Sequence, residues 1–529
     1  MRYVIGSGPS GIMCASALLE AGHEVTMLDV GHALPASAER IAAHLAGKDI
    51  DRWTRRDIEE ARGATVTSSG GIPQHLSFGS DFAYAKDADL SIQQQDCHCT
   101  VSHAKGGFST IWGGSVLPNR AEDFEKWPVT LPEMIPHYEA VGEIMGIAAS
   151  ENDPLLGWFP HYAEPLPAPR RSSQADHLYE TSKRHAAALA RRGLLVGESR
   201  LALRTRPDRK GRYCRNAGLC LTGCPFSAIY STDQTLEDLL QNEKFRYVGG
   251  YKVQRLDAHG DAVTIMAERL KDGAMIAFAA ERVYVGCGAL ATAMIMAASL
   301  PGKTLSLPVV YQPYFMIPLI LLKNFPHVAS ERLHTLSQLN IEVDDERISA
   351  HPLHLQLYTF NHFIEERLER ILRFFPLVRG LLRRLMLGRI VTLQGYEHGD
   401  ESVPIRVEFE KTSQGGVTAA LQGPSDRRRL SSLASSIVRK LARSFREFGM
   451  VPVPFMHILG TPGAGSHFGS IFPMRAHPGA LETDRLGRIP GHPRVHLIDG
   501  SVLTTLPAAT ITYTIMANAH RIGAESAAL

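Results

Sequence analysis

The stretch RYVIGSGPSGIMCASALLEAGHEVTMLDVG, residues 2–31, contains the pattern that decides the fold. It reads as a short apolar strand, a glycine turn, a helix with apolar residues at 3.6-residue spacing, and a second strand. The turn carries Gly6, Gly8 and Gly11 as G-x-G-x-x-G, and Asp29 ends the second strand. This context predicts a dinucleotide whose pyrophosphate lies on the helix N-terminus and whose ribose hydroxyl donates to Asp29. A glycine turn that only packs the helix on the strand is the alternative, and the motif alone does not separate FAD from NAD.

The composition is that of an ordinary globular protein. The chain has 529 residues, of which 44% are hydrophobic and 21% are charged, and its formal net charge is +2. A single hydrophobic core stops growing at roughly 250–300 residues, so we expect at least two lobes. The hydrophobic content excludes an intrinsically disordered chain, and the near-neutral charge excludes a protein built around a polyanion-binding field. We therefore expect no nucleic-acid partner.

Two features of the sequence bear on location. The chain opens directly on the strand-like MRYVIGSG, without the basic segment, apolar segment and cleavage site of a secretory signal. The longest apolar run, residues 314–322, falls well short of the roughly 20 residues that span a bilayer. We therefore expect a cytoplasmic protein without a transmembrane helix.

Two further stretches resemble a known flavoenzyme family. The C-terminal run 466–523 and the stretch GGFSTIWGGS, residues 106–115, are similar to sequences of the glucose-methanol-choline (GMC) flavin oxidoreductases. In that family a catalytic His precedes a G-T/S pair, and an acid, a G-R-V/I, a D-G-S and an N-P-T-L-T-I-M-A helix follow. The corresponding elements here are His467, Gly469-Ser470, Asp484, Gly487-Arg488-Ile489, Asp499-Gly500-Ser501 and Thr514-Ile515-Met516-Ala517.

The 106–115 stretch resembles the loop that carries the flavin ring in this family. Sugar-oxidising members can have a histidine covalently attached to the flavin at the position of Ile111, and isoleucine cannot form that bond. The resemblance therefore implies that FAD is bound non-covalently. The cofactor contacts that it implies in this loop are Gly107, Ser109, Thr110 and Trp112.

The resemblance also implies the fold class and the domain organisation. The expected fold is α/β, with a Rossmann-like FAD-binding domain and an inserted α+β substrate domain of sheet and helices. The expected bounds are 1–120, 200–300 and 456–529 for the discontinuous FAD-binding domain, and 121–199 and 301–455 for the substrate domain. Further cofactor contacts are expected from Val253, Gly288, Asp499 and Gly500.

The chemistry of the family makes His467 the candidate base. Its members oxidise an alcohol: a base removes the hydroxyl proton while a hydride passes from the same carbon to the flavin N5. An imidazole with its ordinary pKa of about 6.5 suits that base at neutral pH. His457 begins HILGT, which also copies the family pattern, but it lies ten residues too far from Arg488 and ranks second. A histidine that only bonds to loop carbonyls is the structural alternative.

The second catalytic position departs from the family pattern. It lies eleven residues past the Asp of D-G-S, where the family has His or Asn and this chain has Thr510. A threonine hydroxyl can orient a substrate hydroxyl through a hydrogen bond, but it is no base at neutral pH. We therefore expect one base and one orienting hydroxyl, which leaves a non-redox role open.

Three cysteines form a second candidate site. Cys214, Cys220 and Cys224, with Pro225 directly behind, resemble three quarters of a bacterial ferredoxin motif and also the loop of FAD sugar dehydrogenase subunits of the same broad family. The second resemblance implies a three-iron four-sulfur cluster that accepts electrons from the flavin. Packing of a Cys- and Gly-rich turn is one alternative, and a zinc site with a fourth ligand is another. Candidates for that fourth ligand are Cys97, His98 and Cys99.

A strongly basic segment lies at residues 367–389. It reads RLERILRFFPLVRGLLRRLMLGR, with seven arginines, one glutamate, and leucine and phenylalanine at helical spacing. We expect Pro376 and Gly380 to break the helix in two. A basic amphipathic helix is typical of a membrane-surface element, here at the inner membrane face. A helix that packs on the core with an arginine-rich outer face would show the same pattern.

Together these features predict an FAD-dependent dehydrogenase or oxidase that acts on a CH-OH group of a sugar, polyol or other alcohol. Electrons would pass to an acceptor protein or a quinone if the cluster exists, and otherwise to oxygen or a soluble acceptor. The alternatives are an oxygen-using oxidase, an FAD-containing lyase or isomerase, and a membrane-surface flavin-binding protein without turnover. Region 301–455 contains no motif that identifies a substrate pocket, so the sequence does not predict which alcohol is the substrate.

Overall fold

A computed structural model gives the fold and describes residues 1–63, 75–413 and 415–529. The α-helices, in chain order, are α1 Pro9–Glu20, α2 Ala36–Ala46, α3 Arg55–Arg62, α4 Asp87–Leu90, α5 Leu131–Met145, α6 Ser173–Arg184, α7 Ala186–Ala190, α8 Thr232–Leu239, α9 Ala289–Ser299, α10 His362–Leu372, α11 Arg379–Met386, α12 Arg428–Arg443, α13 Phe445–Phe448 and α14 Thr512–Ala527. Short 3-10 helices lie at Ile50–Arg52, Gly107–Thr110, Ala121–Phe124, Pro154–Gly157, Val328–Ser330, Gly399–Glu401 and Gly500–Val502.

The strands form five sheets. In chain order they are β1 Arg2–Ile5, β2 Val25–Asp29, β3 Ile92–Gln95, β4 Ala148–Ala149, β5 Leu166–Pro167, β6 Leu194–Glu198, β7 Phe245–Gly249, β8 Tyr251–His259, β9 Ala262–Arg269, β10 Ala274–Ala280, β11 Arg282–Val285, β12 Thr304–Tyr311, β13 Tyr314–Leu321, β14 Leu339–Val343, β15 Leu353–Tyr358, β16 Ile390–Tyr396, β17 Ile405–Lys411, β18 Val417–Gln422, β19 Met450–Pro452, β20 Ile458–Leu459, β21 Phe468–Gly469 and β22 Val495–Leu497.

The predicted strand-turn-helix-strand unit opens a parallel sheet of five strands in the order β22-β11-β1-β2-β7. Strand β2 is buried along its whole length, as parallel strands between covering layers usually are. Helix α1 begins at Pro9, a residue that suits the first helical position, and it packs against the C-terminal helix α14. Because the strands are parallel, the turns after β1, β2, β11 and β22 meet at one edge of the sheet. The α/β fold expected from the sequence is confirmed.

A second lobe contains a sheet in the order β19-β13-β16-β15-β14-β6, with β20 beside β13, and its strands are antiparallel. Side chains alternate across it, because successive residues of a strand point to opposite faces. On β15, Leu353, Leu355 and Leu357 belong to an apolar core shared with α6 and α12. The opposite face therefore presents His354, Gln356 and Tyr358.

A mixed sheet, β21-β12-β17-β18-β3, contributes side chains to the largest core. A three-stranded antiparallel sheet, β10-β9-β8, and a two-stranded pair, β4-β5, complete the architecture. None of the described helices is long and apolar enough to cross a bilayer.

The basic segment is helical, but one expected break is wrong. Helix α10 ends at Leu372 and α11 begins at Arg379, so the break covers 373–378 around Pro376. Gly380 is the second residue of α11. Glycine so close to a helix end weakens the helix much less than proline, which lacks the backbone donor.

Candidate active site

The glycine turn after β1 is as tight as its motif predicts. Gly6 has φ +94°, and a Cβ there would lie 2.7 Å from the Gly286 carbonyl oxygen. A Cβ on Gly11 would lie 1.9 Å from the Gly6 oxygen. Gly8 is different, because the nearest atom to a Cβ there would be the Gly107 Cα at 3.9 Å. The turn therefore leaves space above Gly8, and it meets the 106–115 loop directly.

Asp29 is held at the end of β2 by other side chains. The hydroxyls of Ser7 and Tyr247 donate to the same Asp29 carboxylate oxygen, the latter at 3.0 Å. The Gly106 backbone N–H in turn donates to Ser7 Oγ at 2.9 Å. Burial raises the pKa of Asp29 to about 6, although these donors favour its charged form. A ribose hydroxyl would share this carboxylate with the two protein donors, of which Tyr247 on β7 has no signal in the sequence.

The polar side chains of the 106–115 loop hold the loop itself. Ser109 Oγ donates to the Gly106 oxygen at 2.6 Å, and Thr110 Oγ1 donates to the Gly107 oxygen at 2.9 Å. The Trp112 Nε1 donates to the Tyr230 oxygen at 2.7 Å. With these three side chains committed to internal bonds, any polar contact from the loop to a cofactor would come mainly from its backbone.

Two other predicted contacts follow strands of the same sheet. Gly288 comes after β11 with φ +85°, and no atom lies within 4 Å of the position of a Cβ. Asp499 comes after β22 and is buried; Thr292 Oγ1 donates to it at 2.5 Å and the Ser501 N–H at 2.9 Å. Burial raises the pKa of Asp499. Gly288 and Asp499 therefore lie at the edge that carries the glycine turn.

Gly500 and Val253 have packing roles. A Cβ on Gly469 would lie 2.1 Å from the Gly500 oxygen, so Gly500 supports the strand that follows His467. Val253 lies on β8 with its side chain buried in the largest core.

This edge fits a dinucleotide. Helix α1 has no side chain capping its N-terminus, so its first N–H groups are available to an anion. Gly8 and Gly288 leave room for close approach of a ligand to the backbone. Asp29 supplies an acceptor at the end of the neighbouring strand. These are the groups that a nucleotide pyrophosphate and ribose require.

His467 is fixed in one tautomer by Gln312. The side-chain amide of Gln312 donates to the Ala509 oxygen at 2.8 Å and to the Pro507 oxygen. Its Oε1 must therefore face His467 Nδ1, which lies 2.6 Å away. Because an amide oxygen only accepts, Nδ1 carries the proton and Nε2 keeps its lone pair. Among the described residues, Nε2 has no hydrogen-bond partner.

The His467 imidazole is uncharged at neutral pH. Its removal from water lowers its pKa to about 4, and the charge of His354 acts in the same direction. The pKa of about 6.5 assumed from the sequence is thus too high for this environment. A neutral imidazole with a free Nε2 is a proton acceptor.

A buried carboxylate–imidazole pair lies near His467. Glu342 on β14 and His354 on β15 are both buried and are joined by a contact of 2.6 Å. The Tyr396 ring lies between the two histidines, with its centroid 5.3 Å from that of His467 and 6.4 Å from that of His354. Sequence reasoning missed all three residues, although alternation in LHLQLY, residues 353–358, signals one polar strand face.

The same sheet face reaches the 106–115 loop. The Gln356 amide donates to Ser115 Oγ at 3.3 Å, and the Tyr358 hydroxyl donates to Gln356 Oε1 at 2.9 Å. A Cβ on Gly113 would lie 3.9 Å from the Tyr358 hydroxyl. His467 and the loop of the predicted flavin ring therefore border one polar region.

Thr510 and His457 occupy different environments. Thr510 Oγ1 accepts from the Leu117 N–H at 2.9 Å, next to Ala509 in the segment that Gln312 binds. Thr510 therefore links the segment 507–510 to the chain that follows the 106–115 loop. His457 contacts Ser431 on α12 at 3.3 Å and is not brought to Gln312.

The three cysteines of the loop are partly buried and pack against the same small core. Backbone N–H groups point at each sulfur: Asn216 to Cys214 and Thr335 to Cys220, both at 3.4 Å, and several residues that follow Cys224. Burial raises the pKa of Cys214 to about 11 and that of Cys220 to about 12. The free thiols are therefore protonated at neutral pH.

The cysteine geometry is unlike a zinc site. Tetrahedral zinc would bring its sulfur ligands to roughly 3.8 Å of one another. Among the described residues, one group of three metal-binding side chains has its ligand atoms within 4.8 Å, and it is His351, His398 and Asp400 rather than the cysteines. The rings of His351 and His398 are stacked 4.0 Å apart, so their in-plane lone pairs do not converge on one ion. Cys97 and Cys99 belong to the largest core and not to the cysteine cluster.

Comparison with known proteins identifies relatives of the chain. A family model described as GMC oxidoreductase matches residues 58–310. A 6'''-hydroxyparomomycin C oxidase from Streptomyces lividus is 22% identical over 312 residues, which are 56% of this chain and 49% of that protein. The chain therefore matches about half the length of this curated relative.

Solved structures share the fold over nearly the whole chain. A pyridoxine 4-oxidase from Mesorbium loti superposes with a TM-score of 0.60 and 13% identity, covering 99% of this chain and 98% of that one. An FAD-dependent oxidoreductase from Chaetomium thermophilum, solved with a bound small-molecule fragment, has a TM-score of 0.60, 12% identity and the same coverage. At this identity, the likeness concerns the fold.

Proposed function

We propose that this chain is an FAD-dependent enzyme of the GMC oxidoreductase family, whose model matches residues 58–310, and that it oxidises a CH-OH group of a small alcohol or sugar. Family membership implies FAD as the cofactor. When bound, FAD supplies the acceptor for the hydride that leaves the alcohol carbon. The observation that carries the proposal is the imidazole of His467, which is uncharged and whose Nδ1–H is bound to Gln312.

In this proposal, the chain's residues orient the alcohol and remove its proton. His467 accepts the hydroxyl proton at Nε2, because Gln312 reserves Nδ1 as a donor. The polar face with His354, Gln356 and Tyr396 offers hydrogen bonds to the remaining polar groups of the substrate. The dinucleotide would be held by Gly6, Gly8, Gly11, Asp29 and Gly288. The FAD-binding and substrate domains would have the bounds expected from the sequence.

The rate of flavin reduction should fall at acid pH, with its midpoint near pH 4. A base works only when it is unprotonated, and burial lowers the pKa of His467 to about 4. The rate of flavin reduction should rise between about pH 3 and 5 and then stay level through pH 8. Stopped-flow reduction by a saturating alcohol over this range, with folding monitored by circular dichroism, measures it. A limb near pH 6.5 would contradict the buried neutral imidazole.

Gln312 should act as a positioning residue for His467. Replacing Gln312 by leucine removes the acceptor that fixes the Nδ1–H tautomer, so we expect flavin reduction to slow about 10- to 100-fold. Stopped-flow rates and their pH dependence measure the effect. The matched control is Gln338→Leu, because Gln338 is similarly buried and its side-chain amide also accepts one hydrogen bond, from the Ser172 N–H, and donates to a backbone carbonyl, that of His334. Equal slowing in both variants would mean that Gln312 is only structural.

An anaerobic alcohol panel tests the proposed function. Sugars, polyols and simple primary and secondary alcohols are added to the FAD-loaded protein, and bleaching of the oxidised flavin absorbance is followed. At least one compound should bleach the flavin. Unchanged oxidised flavin across the panel would count against both the dehydrogenase and the oxidase, and would leave the lyase, isomerase and non-catalytic alternatives.

Oxygen as the electron acceptor is the second candidate, since two of the relatives are named oxidases. Reoxidation of the bleached protein by dissolved oxygen, compared with reoxidation by a quinone, separates it from a dehydrogenase. Rapid peroxide formation would favour the oxidase.

The cysteine loop supports a cluster proposal. Three partly buried cysteines with backbone N–H groups directed at their sulfurs suit thiolate ligands, since such donors stabilise the charged form. Trp112 of the 106–115 loop donates to Tyr230, six residues beyond Cys224, which places the two loops in contact. Electron paramagnetic resonance of anaerobically purified protein tests this: a near-isotropic signal lost in Cys220→Ser supports the cluster, and iron-free protein refutes it.

A further inference from the structure

An exposed apolar surface covers the helical hairpin formed by α10, α11 and the connection 373–378. Seven of the seventeen large apolar side chains that are exposed among the described residues lie within fifteen consecutive positions here. Leu377 is 99% exposed and Phe374 is 70% exposed. A contiguous apolar surface on a folded protein usually marks a contact with a partner or a membrane. The seven residues are Ile371, Phe374, Phe375, Leu377, Val378, Leu381 and Leu385.

The exposed side chains are not needed to fold the hairpin. The hairpin has a small core of its own, which consists of Leu368, Leu372 and Leu387 with partly buried neighbours. Ion pairs tie the helices together, from Arg379 to Glu369 at 2.5 Å and from Arg383 to Glu365 at 2.6 Å. The two helices therefore pack on their own small core and pair with each other without the seven exposed apolar residues. The alternative of a helix that buries all its apolar side chains does not describe this hairpin.

Positive charge surrounds the apolar surface. Arg367, Arg373 and Arg384 form no ion pair with any described carboxylate, and Arg373 lies over the Phe374 ring at 4.8 Å. The hairpin carries six arginines against three acids, Glu365, Glu366 and Glu369, and each of these acids is already in an ion pair. Apolar side chains with unpaired arginines beside them suit the surface of an anionic lipid leaflet. There the aromatic rings enter the headgroup region and the guanidinium groups bind lipid phosphates.

We infer that the α10–α11 hairpin docks on an anionic lipid surface, with Phe374, Phe375 and Leu377 inserted at the headgroup boundary. A second copy of the chain is a poorer occupant. A two-fold contact would bring the unpaired arginines of both copies into one interface without adding any unpaired acid to neutralise them. Lipid phosphates instead neutralise them.

Docking would bring the candidate active site to the lipid surface. Helix α10 begins four residues after Tyr358, the residue of β15 next to Gly113. Burial lowers the pKa of His362, at the start of α10, and the charges of nearby Arg62 and His75 act in the same direction. His75 bonds to the Ile111 oxygen at 3.1 Å, within the 106–115 loop. Resting on the proposed function, the hairpin would deliver a lipid-dissolved alcohol substrate or electron acceptor to this site.

Vesicle co-sedimentation of the full-length, FAD-loaded protein tests the inference. The wild type should sediment with phosphatidylcholine vesicles that contain phosphatidylserine, but not with phosphatidylcholine alone, and high salt should weaken binding. The variant Phe374→Ser/Leu377→Ser should lose at least about tenfold in vesicle affinity. Phe455→Ser is the matched control, because Phe455 is 98% exposed outside the hairpin. Unchanged binding in the hairpin variant, or equal loss in the control, overturns the inference.

Two further measurements keep the test decisive. Arg373→Gln/Arg384→Gln leaves the apolar residues in place and should also lose affinity for the anionic vesicles; retained binding would overturn the inference. Sedimentation velocity without lipid detects self-association, and a dimer that the Phe374→Ser/Leu377→Ser variant abolishes would assign the surface to a second copy instead. Flavin reduction by a soluble alcohol is measured separately, so failure of lipid binding and failure of the proposed chemistry are distinguishable.

Discussion

Replacing His467 by alanine should slow flavin reduction by an alcohol about 10²- to 10⁴-fold while leaving FAD bound. The variant removes the neutral imidazole whose free Nε2 is the proposed acceptor of the hydroxyl proton. It does not touch the glycine turn or Asp29, so the yellow colour and the flavin spectrum should be retained. Stopped-flow absorbance under anaerobic conditions measures the rate, with whichever panel alcohol bleaches the wild type.

His457→Ala is the control for this variant. His457 copies the local H-x-x-G-T pattern but bonds to Ser431 on α12 rather than to Gln312. Its replacement should change the rate less than about threefold, since it contacts no reacting group. A larger loss in His457→Ala than in His467→Ala would reverse the assignment of the base. Full activity in His467→Ala would remove the mechanism altogether.

Replacing Gly8 by alanine should weaken FAD binding about 100-fold, or by about 2.7 kcal/mol, in a protein that still folds. Gly8 has φ −68° and ψ −176°, which alanine adopts without strain, and its added methyl would meet only the Gly107 Cα at an ordinary 3.9 Å. The methyl would instead occupy the space through which a pyrophosphate approaches the backbone. Fluorescence titration of the apoprotein with FAD measures the affinity.

Gly380→Ala provides the matched control. Gly380 lies inside α11 with no atom within 4 Å of the added methyl, so alanine should leave FAD affinity unchanged. Both variants should unfold near the wild-type temperature in the apo form. If Gly8→Ala binds FAD as the wild type does, the cofactor does not lie along this turn. If it fails to fold, the space above Gly8 is a packing contact.

Much of the nucleotide site could be predicted from the sequence because its signals are local. Gly6 and Gly11 lie five residues apart, and their spacing alone requires a turn that packs a helix on a strand. The C-terminal motif around His467 is equally compact. Both motifs depend on short-range steric constraints and residue periodicity, and these constraints change little with the rest of the fold.

The environment of each predicted residue could not be predicted in the same way. Asp29 was expected to accept from a ribose hydroxyl, and the sequence did not indicate that Tyr247, 218 residues away, also donates to it. His467 was expected to titrate near its ordinary pKa, and burial lowers it to about 4. The polar sheet face with Glu342 and His354 lies in region 301–455, where no motif marks it. The sequence also left open whether the cysteines bind zinc and whether the arginine-rich hairpin is exposed. Both depend on how the folded chain arranges its side chains.

Residue spacing was enough to predict the βαβ unit and the family resemblance, and to single out His467 as the proposed base. Only the folded chain decided which imidazole nitrogen carries the proton, because Gln312 lies 155 residues from His467 and is itself oriented by carbonyls at 507 and 509. Backbone geometry depends on residues that are neighbours in the sequence, whereas hydrogen-bond direction and desolvation depend on where distant strands meet.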